Sequence, residues 1–233
     1  MTETPRFAIY YTPDVDTTLA RFGSRMLGYD AVSGDDVAFP ADVVAQVADW
    51  QDVTSDPRKY GFHATLKAPF TLANDTKEVS LRESCARFAS IARIIPVIAP
   101  VVRSLDGFTA IVPTAPSEML AMLAQDCVEA FDGFRTPMTP ADRARRKPER
   151  LTARQVAQLD RWGYPYGGDD FRFHMTLTGR LPPERRDAVA AMLQRHFAAL
   201  DLTSLAIDRI VLFRQDTPAS RFRVIESFAL RGI

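Results

Sequence analysis

Tyr60-Gly-Phe-His-Ala-Thr-Leu66 and Phe171-Arg-Phe-His-Met-Thr-Leu177 carry the same frame, Phe-His-x-Thr-Leu, with His174 following His63 by 111 residues. Both read as β-strands, rich in aromatic and branched residues. In a strand alternate side chains share a face, so His63 points with Thr65 and His174 with Thr176, while the flanking apolar residues anchor the opposite face.

Outward from these strands the chain repeats. Phe7-Ala-Ile-Tyr-Tyr11 is a β-rich run leading to Val15, Leu19, Phe22 and Met26 at helical spacing, with Gly28 suited to the helix end. A weak helix is expected around Val43 to Trp50. After the first His strand comes a helix presenting Leu81, Cys85, Phe88, Ala92 and Ile95, with Pro96 as its stop. Strands Val97 to Val102 and Phe108 to Val112 follow, joined by the hairpin dipeptide Asp106-Gly107. The order then recurs. A helix opens at Pro116 with Leu120, Leu123, Cys127, Val128 and Phe131, and after the second His strand another carries Val189, Met192, Leu193 and Phe197. Strands Ile207 to Phe213 and Phe222 to Leu230 close the chain. A duplicated β-α-β-α-β unit follows. The expected fold is α+β, one bilobal domain over 1–233 with halves near 1–105 and 106–233. Each pseudo-symmetric lobe is a mainly antiparallel sheet with helices on its outer face, and a cleft lies between them. The least repeated segment, 134–168, is a helical insertion in which Thr152 and Gln155 form a capping box and Gly163 ends the helix.

Composition limits the function. Of 233 residues 46% are hydrophobic and 25% charged, as in globular proteins that need no staple. Cys85 and Cys127 read as free buried thiols, no apolar run reaches the ~20 residues that span a bilayer, and a cytoplasmic location without membrane contact is expected. Lys plus Arg equals Asp plus Glu at 29 each, so no global positive field exists to hold long nucleic acid. A small phosphorylated sugar or nucleotide is the expected partner, nucleic acid the less favoured one, and the chain a monomer.

Breaking a P–O ester requires one proton taken from the attacking water and one given to the departing oxygen, on opposite sides of phosphorus. Two imidazoles, with ordinary pKa near 6.5, can divide those tasks, and each transfer is worth about 10² to 10⁴ in rate. Threonine hydroxyls can donate to the non-bridging oxygens. A single His-x-Thr is a poor signal, since a strand histidine is more often merely hydrogen-bonded. Two of the three histidines at equivalent points of a repeat are a strong one. His196, on the apolar face of its helix with Val189, Met192 and Leu193, reads as structural. No His-x-x-x-His or acidic cluster has metal-ligand spacing, so neither metal nor cofactor is expected.

Two His-x-Thr-Leu motifs in a duplicated α+β chain resemble the 2H phosphoesterase superfamily. More closely, Tyr60-Gly-Phe-His-Ala-Thr-Leu-Lys-Ala-Pro-Phe70, Arg161-Trp-Gly-Tyr-Pro-Tyr166 and Phe171-Arg-Phe-His-Met-Thr-Leu-Thr-Gly-Arg-Leu181 resemble its branch encoded with phosphonate-degradation genes. The resemblance implies a metal-independent cyclic phosphodiesterase, with His63 and His174 catalytic and Thr65 and Thr176 binding phosphate. It points to 5-phosphoribosyl 1,2-cyclic phosphate, opened to ribose 1,5-bisphosphate. Lys67, Thr178 and Arg180 continue the motifs at period two if the strands continue. Tyr10, Tyr60, Tyr164 and Tyr166 are candidates for sugar contact, though aromatics more often simply pack. Arg143 and Arg146, in the basic run to Arg154, either bind a distal phosphate or form a solvated helix face. An RNA 2′,3′-cyclic or 2′,5′ phosphodiesterase is the competing enzymatic expectation, and a non-catalytic phosphate-ligand sensor the competing one of another class.

Overall fold

The computed structural model describes residues 4–233. Among the described residues the strands are β1 (Arg6–Tyr11), β2 (Ala64–Thr71), β3 (Val97–Ile98), β4 (Pro100–Leu105), β5 (Phe108–Pro113), β6 (Met175–Thr176), β7 (Leu205–Ala206), β8 (Arg209–Gln215) and β9 (Arg223–Ala229). The α-helices of the same residues are α1 (Thr18–Leu27), α2 (Ala41–Gln46), α3 (Trp50–Val53), α4 (Ser55–Arg58), α5 (Glu78–Ser90), α6 (Glu118–Ala130), α7 (Pro140–Arg145), α8 (Ala153–Trp162) and α9 (Pro183–Ala198). Among the described residues no helix is long and apolar enough to cross a membrane.

Seven strands form one antiparallel sheet in the order β4-β5-β6-β2-β1-β8-β9. The fold is α+β, as the sequence pattern predicts, with the His strands side by side at its centre. They meet through Ala64 and Met175, the residues that follow the two histidines. An antiparallel pair of equivalent residues places the pseudo-twofold axis there. The outer strands are exchanged between the halves. β4, from the first half, pairs with β5 of the second, and β8, from the second, pairs with β1 of the first. β3 and β7 pair with each other in a separate ribbon. The two units therefore share one sheet rather than owning one each.

Local chemistry explains the element ends. The hydroxyl of Thr17 accepts from Ala20 N, and Gly28 closes α1 at φ 69°, a left-handed conformation that glycine adopts without a Cβ penalty. Asp106 and Gly107 both take positive φ, as a two-residue hairpin turn between β4 and β5 demands. Thr152, Gln155 and Gly163 cap α8 at both ends as expected. α5 stops at Ser90, short of Pro96. The Arg93 guanidinium caps Phe88 O at 2.8 Å while Arg93 N donates to Arg231 O, so residues 91–95 leave the helix to run beside the C-terminal segment.

Alternation along β1 divides the interior. Phe7, Ile9 and Tyr11 enter the main core, where α1, α5, α6 and α9 pack through Leu19, Leu81, Leu123 and Leu193. Ala8 and Tyr10 face the other way, into a smaller cluster with Tyr29, Val211, Phe213 and Phe222. Cys85 and Cys127 are free and buried in the main core.

Candidate active site

His63 and His174 each sit one residue before a central strand, and their rings are held alike. His63 Nδ1 lies 2.9 Å from Gly61 O, and His174 Nδ1 lies 2.7 Å from Arg172 O. A carbonyl oxygen only accepts, so Nδ1 carries the proton in both rings and Nε2 is left as the atom that takes or gives one. Gly61 takes φ +74°, a left-handed conformation open to glycine, and a Cβ there would lie 2.6 Å from that of Ala31. Thr65 Oγ1 stands 3.4 Å from His63 Nε2, which puts hydroxyl and imidazole on one face as the alternation requires. Thr176 is half-buried on the opposing strand, paired with Ala110.

The surroundings of the two rings differ. Tyr10, 1% exposed, stacks on His63 with centroids 3.9 Å apart, and Tyr60 and Phe213 lie 6.0 and 6.3 Å away. Burial pushes the His63 pKa down to about 4, against the opposing hydrogen bond to Gly61, and a charge on His174 pushes the same way. His174 has a single aromatic neighbour among these contacts, Phe108, at 5.6 Å. Its pKa is also lowered by burial, opposed by the bond to Arg172 O. The same burial holds the Tyr10 phenol well above its ordinary value.

A cavity of about 410 Å³ opens beside Thr65 and His174, lined also by Tyr164, Tyr166, Arg172 and Arg180, while His63 and Thr176 do not line it. It is the size of a small-ligand site. The insertion thus reaches the site through the loop after α8. Tyr164 and Tyr166 meet edge to face, with centroids 5.5 Å apart, and burial raises the Tyr164 phenol to about 12.

Two motif extensions do not join this group. Between Tyr10↔Thr65 and Ile9↔Lys67 the first strand advances one residue and the second two, a β-bulge at Leu66. It turns Lys67, 3% exposed, to the helix side, where Nζ donates to Val128 O at 3.0 Å and Asp132 Oδ1 at 3.1 Å. The second half repeats the irregularity, with Leu177 N and Thr178 N both donating to Thr109 O. Thr178 is consequently buried, and its hydroxyl accepts from Thr109 N at 2.9 Å. The period-two expectation for Lys67 and Thr178 is corrected by these extra residues. Tyr10 is a platform beneath His63 rather than a surface for sugar, and Tyr60 stacks on Phe222 at 5.3 Å.

Arg180 lines the cavity and donates to Asp106 O. Arg143 is held by both oxygens of Asp160, at 2.6 and 3.1 Å, and Arg154 by those of Asp170, so much of the basic run is a paired surface. Arg146 is exposed and has no carboxylate partner among the described residues. His196 Nε2 lies 3.2 Å from Asp42, outside the site. Arg172 is a lining residue that the sequence reading passed over, although its period-two offset from His174 was the available signal. Among the described residues no group of three or more His, Cys, Asp or Glu side chains is placed to hold a metal ion.

Paired His-x-Thr strands meeting at the centre of an antiparallel α+β sheet are the arrangement that the 2H phosphoesterase resemblance implies. Residues 65–223 match the family described as "Protein of unknown function (DUF1045)", and the chain belongs to that family. It is 36% identical over 227 residues to "Ribose 1,5-bisphosphate phosphokinase PhnN" of Janthinobacterium sp. (strain Marseille), covering 93% of this chain and 49% of that protein. It is 31% identical over 225 residues to the protein of the same name from Laribacter hongkongensis (strain HLHK9), covering 94% and 50%. The chain spans about half the length of these curated relatives. Similar solved structures include E. coli LigT complexed with 3′-AMP, at TM-score 0.41 and 14% identity over 98% of this chain and 99% of that one. A conserved protein of unknown function from Agrobacterium tumefaciens str. C58 gives TM-score 0.44 and 13% identity over 97% and 86%.

Proposed function

We propose that this chain hydrolyses a small cyclic phosphodiester by acid–base catalysis between His63 and His174, without a metal ion. The observation that carries the reading is the matched pair of Nδ1 contacts to Gly61 O and Arg172 O, which direct both Nε2 atoms to proton transfer. His63, enclosed and held neutral, is the base. Its Nε2 takes a proton from water as the water oxygen bonds to phosphorus. On the far side the P–O bond to the leaving oxygen breaks, and His174 Nε2 supplies the proton that oxygen needs. An anionic phosphate between the rings raises the pKa of both, which lets His174 be protonated in the complex. Thr65 and Thr176 donate to the non-bridging oxygens. Turnover leaves the two protonation states interchanged, and exchange with solvent resets them.

The substrate we propose is 5-phosphoribosyl 1,2-cyclic phosphate, opened to ribose 1,5-bisphosphate in phosphonate metabolism. The name of the Janthinobacterium and Laribacter relatives supports it, because it describes a kinase of ribose 1,5-bisphosphate. This chain contains no Gly-x4-Gly-Lys-Ser/Thr loop and spans half of those proteins, so we assign it the step that forms the compound the kinase consumes. The test compares this cyclic phosphate with nucleoside 2′,3′-cyclic phosphates and 2′,5′-linked oligonucleotides, before and after exhaustive chelation. The sugar cyclic phosphate is expected to lead in kcat/KM, with activity unchanged by chelation. A tenfold preference for an oligonucleotide moves the chain to RNA processing, and activity that chelation removes and zinc or manganese restores overturns the metal-free mechanism.

A further inference from the structure

Arg172 and Arg180 line the first cavity, Arg172 within 3.8 Å of the Asp106 carboxylate and Arg180 held by Asp106 O, and most of the cations beyond it are already neutralised. Lys67 and Arg135 share Asp132, Arg143 is held by Asp160, and Arg145 pairs with Asp142. Arg6 is different. It lies two pleats along β1 from Tyr10, on the same face of the sheet. Its Nε and one Nη donate to Gln215 Oε1, and among the described residues it has no carboxylate partner. Gln215 is buried, and its Nε2 donates to Ser220 O at 2.7 Å, which fixes the amide with its oxygen toward Arg6. A rigid neutral acceptor thus orients the guanidinium without cancelling its charge, leaving three of its five N–H groups for another partner.

Arg6 is also tied to the catalytic rings. Its guanidinium sits 5.4 Å from the Phe222 ring, which stacks on Tyr60 at 5.3 Å and lies 6.2 Å from Tyr10, the platform of His63. Arg6 lines a second cavity, of about 510 Å³, together with Arg135, Arg145 and Arg146. The carboxylate of Asp142, also on this wall, is occupied by Arg145 and by the Thr139 cap. The two cavities share no lining residue but are linked by a small pocket between them, lined by Arg135 and Gly163 of the second and by Val128, Tyr164 and Gly167 of the first. Arg146 is close enough to lower the Tyr164 phenol, and Arg6 to lower that of Tyr10, in each case against the larger effect of burial.

We propose that Arg6 and Arg146 form a second anion subsite, which takes a phosphomonoester on the same small molecule whose cyclic ester lies between His63 and His174. The inference rests on the reading of the site as a phosphodiesterase and names the residues that select a doubly phosphorylated substrate. Arginine suits the position because its planar fork binds phosphate through two bonds, and a remote phosphate held there positions the ring for attack.

The probe is ribose 5-phosphate, which has the monoester and no cyclic ester, titrated calorimetrically into the full chain with ribose as the control. The wild type is expected to bind ribose 5-phosphate tenfold or more tightly than ribose. Arg6→Gln should remove most of that advantage, Arg146→Gln at least threefold of it, and Lys147→Gln, an exposed neighbour, none. Wild-type binding no tighter than ribose, or Arg6→Gln binding as the wild type does, overturns the subsite. Arg146 is exposed and its replacement leaves the Gln215 network intact, so unchanged affinity in Arg146→Gln also counts against it should Arg6→Gln fail to fold. Because the probe carries no scissile ester, its loss in Arg6→Gln supports the subsite even if cyclic phosphates prove not to be hydrolysed, and that result would sink only the reading of the reaction.

Discussion

His63 and His174 occupy equivalent turns of the repeat, hold their Nδ1 protons the same way and precede the two residues that pair across the axis, yet one neighbour divides them. Tyr10 pairs with Thr65 on the first side, and Ala110 pairs with Thr176 on the second. A phenol ring at the first position covers His63, while a methyl at the second leaves His174 beside the open cavity. The duplication supplies two equal imidazoles, and this Tyr/Ala difference makes their surroundings unequal: burial lowers both pKa values, that of the covered ring to about 4, while the open ring lines the cavity.

The largest expected effect removes the pair. His63→Ala and His174→Ala are each expected to lower turnover of the cyclic phosphate by about 10² or more, with native circular dichroism. Near-normal turnover in either variant breaks the acid–base pair. The inequality is sharpened by a 4-nitrophenyl phosphodiester, whose leaving oxygen needs little protonation. His174→Ala should then lose most of its penalty, while His63→Ala keeps its own. Equal recovery in both would show that the assigned roles are wrong.

How legible this was depends on the length scale that decided each feature. The shared face of His63 and Thr65 follows from period two within three residues, and the caps at Gly28, Thr152 and Gly163 from single side chains, so the sequence predicted them. Lys67 and Thr178 were placed by the same rule and lost to a bulge, because one extra residue in a strand reverses every face beyond it. The exchange of β4 and β8 was not legible, since the strands have no local mark of which half they complete. Nor was Arg6, whose orientation comes from Gln215, 209 residues away in the chain.

A smaller effect should follow from uncovering His63. Tyr10→Leu keeps an apolar side chain in the buried slot but removes the ring that lies over the imidazole, so water reaches it and less of the burial remains. In the wild type the acid limb of kcat/KM, where the base becomes protonated, is expected well below pH 6, reflecting the His63 pKa of about 4 in the free protein. In Tyr10→Leu that limb should move up toward 6.5, while the limb at high pH, set with His174, moves less. The two values belong to the coupled pair, so the shift between proteins is the quantity to compare. An unmoved acid limb would mean that Tyr10 does not set the state of His63.

The smallest effect reads the same burial through stability. His63 has a folded pKa of about 4 and an unfolded value near 6.5, so between these values the unfolded chain binds the extra proton. The stabilisation associated with a neutral His63 is therefore present in full above pH 6.5 and lost progressively as pH falls from 6.5 toward 4. His174 contributes with the same sign, its pKa being lowered too. His63→Phe replaces the ring with one that cannot titrate and can stack on Tyr10 in the same slot. The urea midpoint of the wild type should fall more between pH 7.5 and pH 5 than that of His63→Phe, and the slope left in the variant should shrink again in His63→Phe/His174→Phe. Parallel midpoints for wild type and His63→Phe would show that His63 keeps an ordinary pKa, and the difference between the two histidines would then lie in access to substrate rather than in charge.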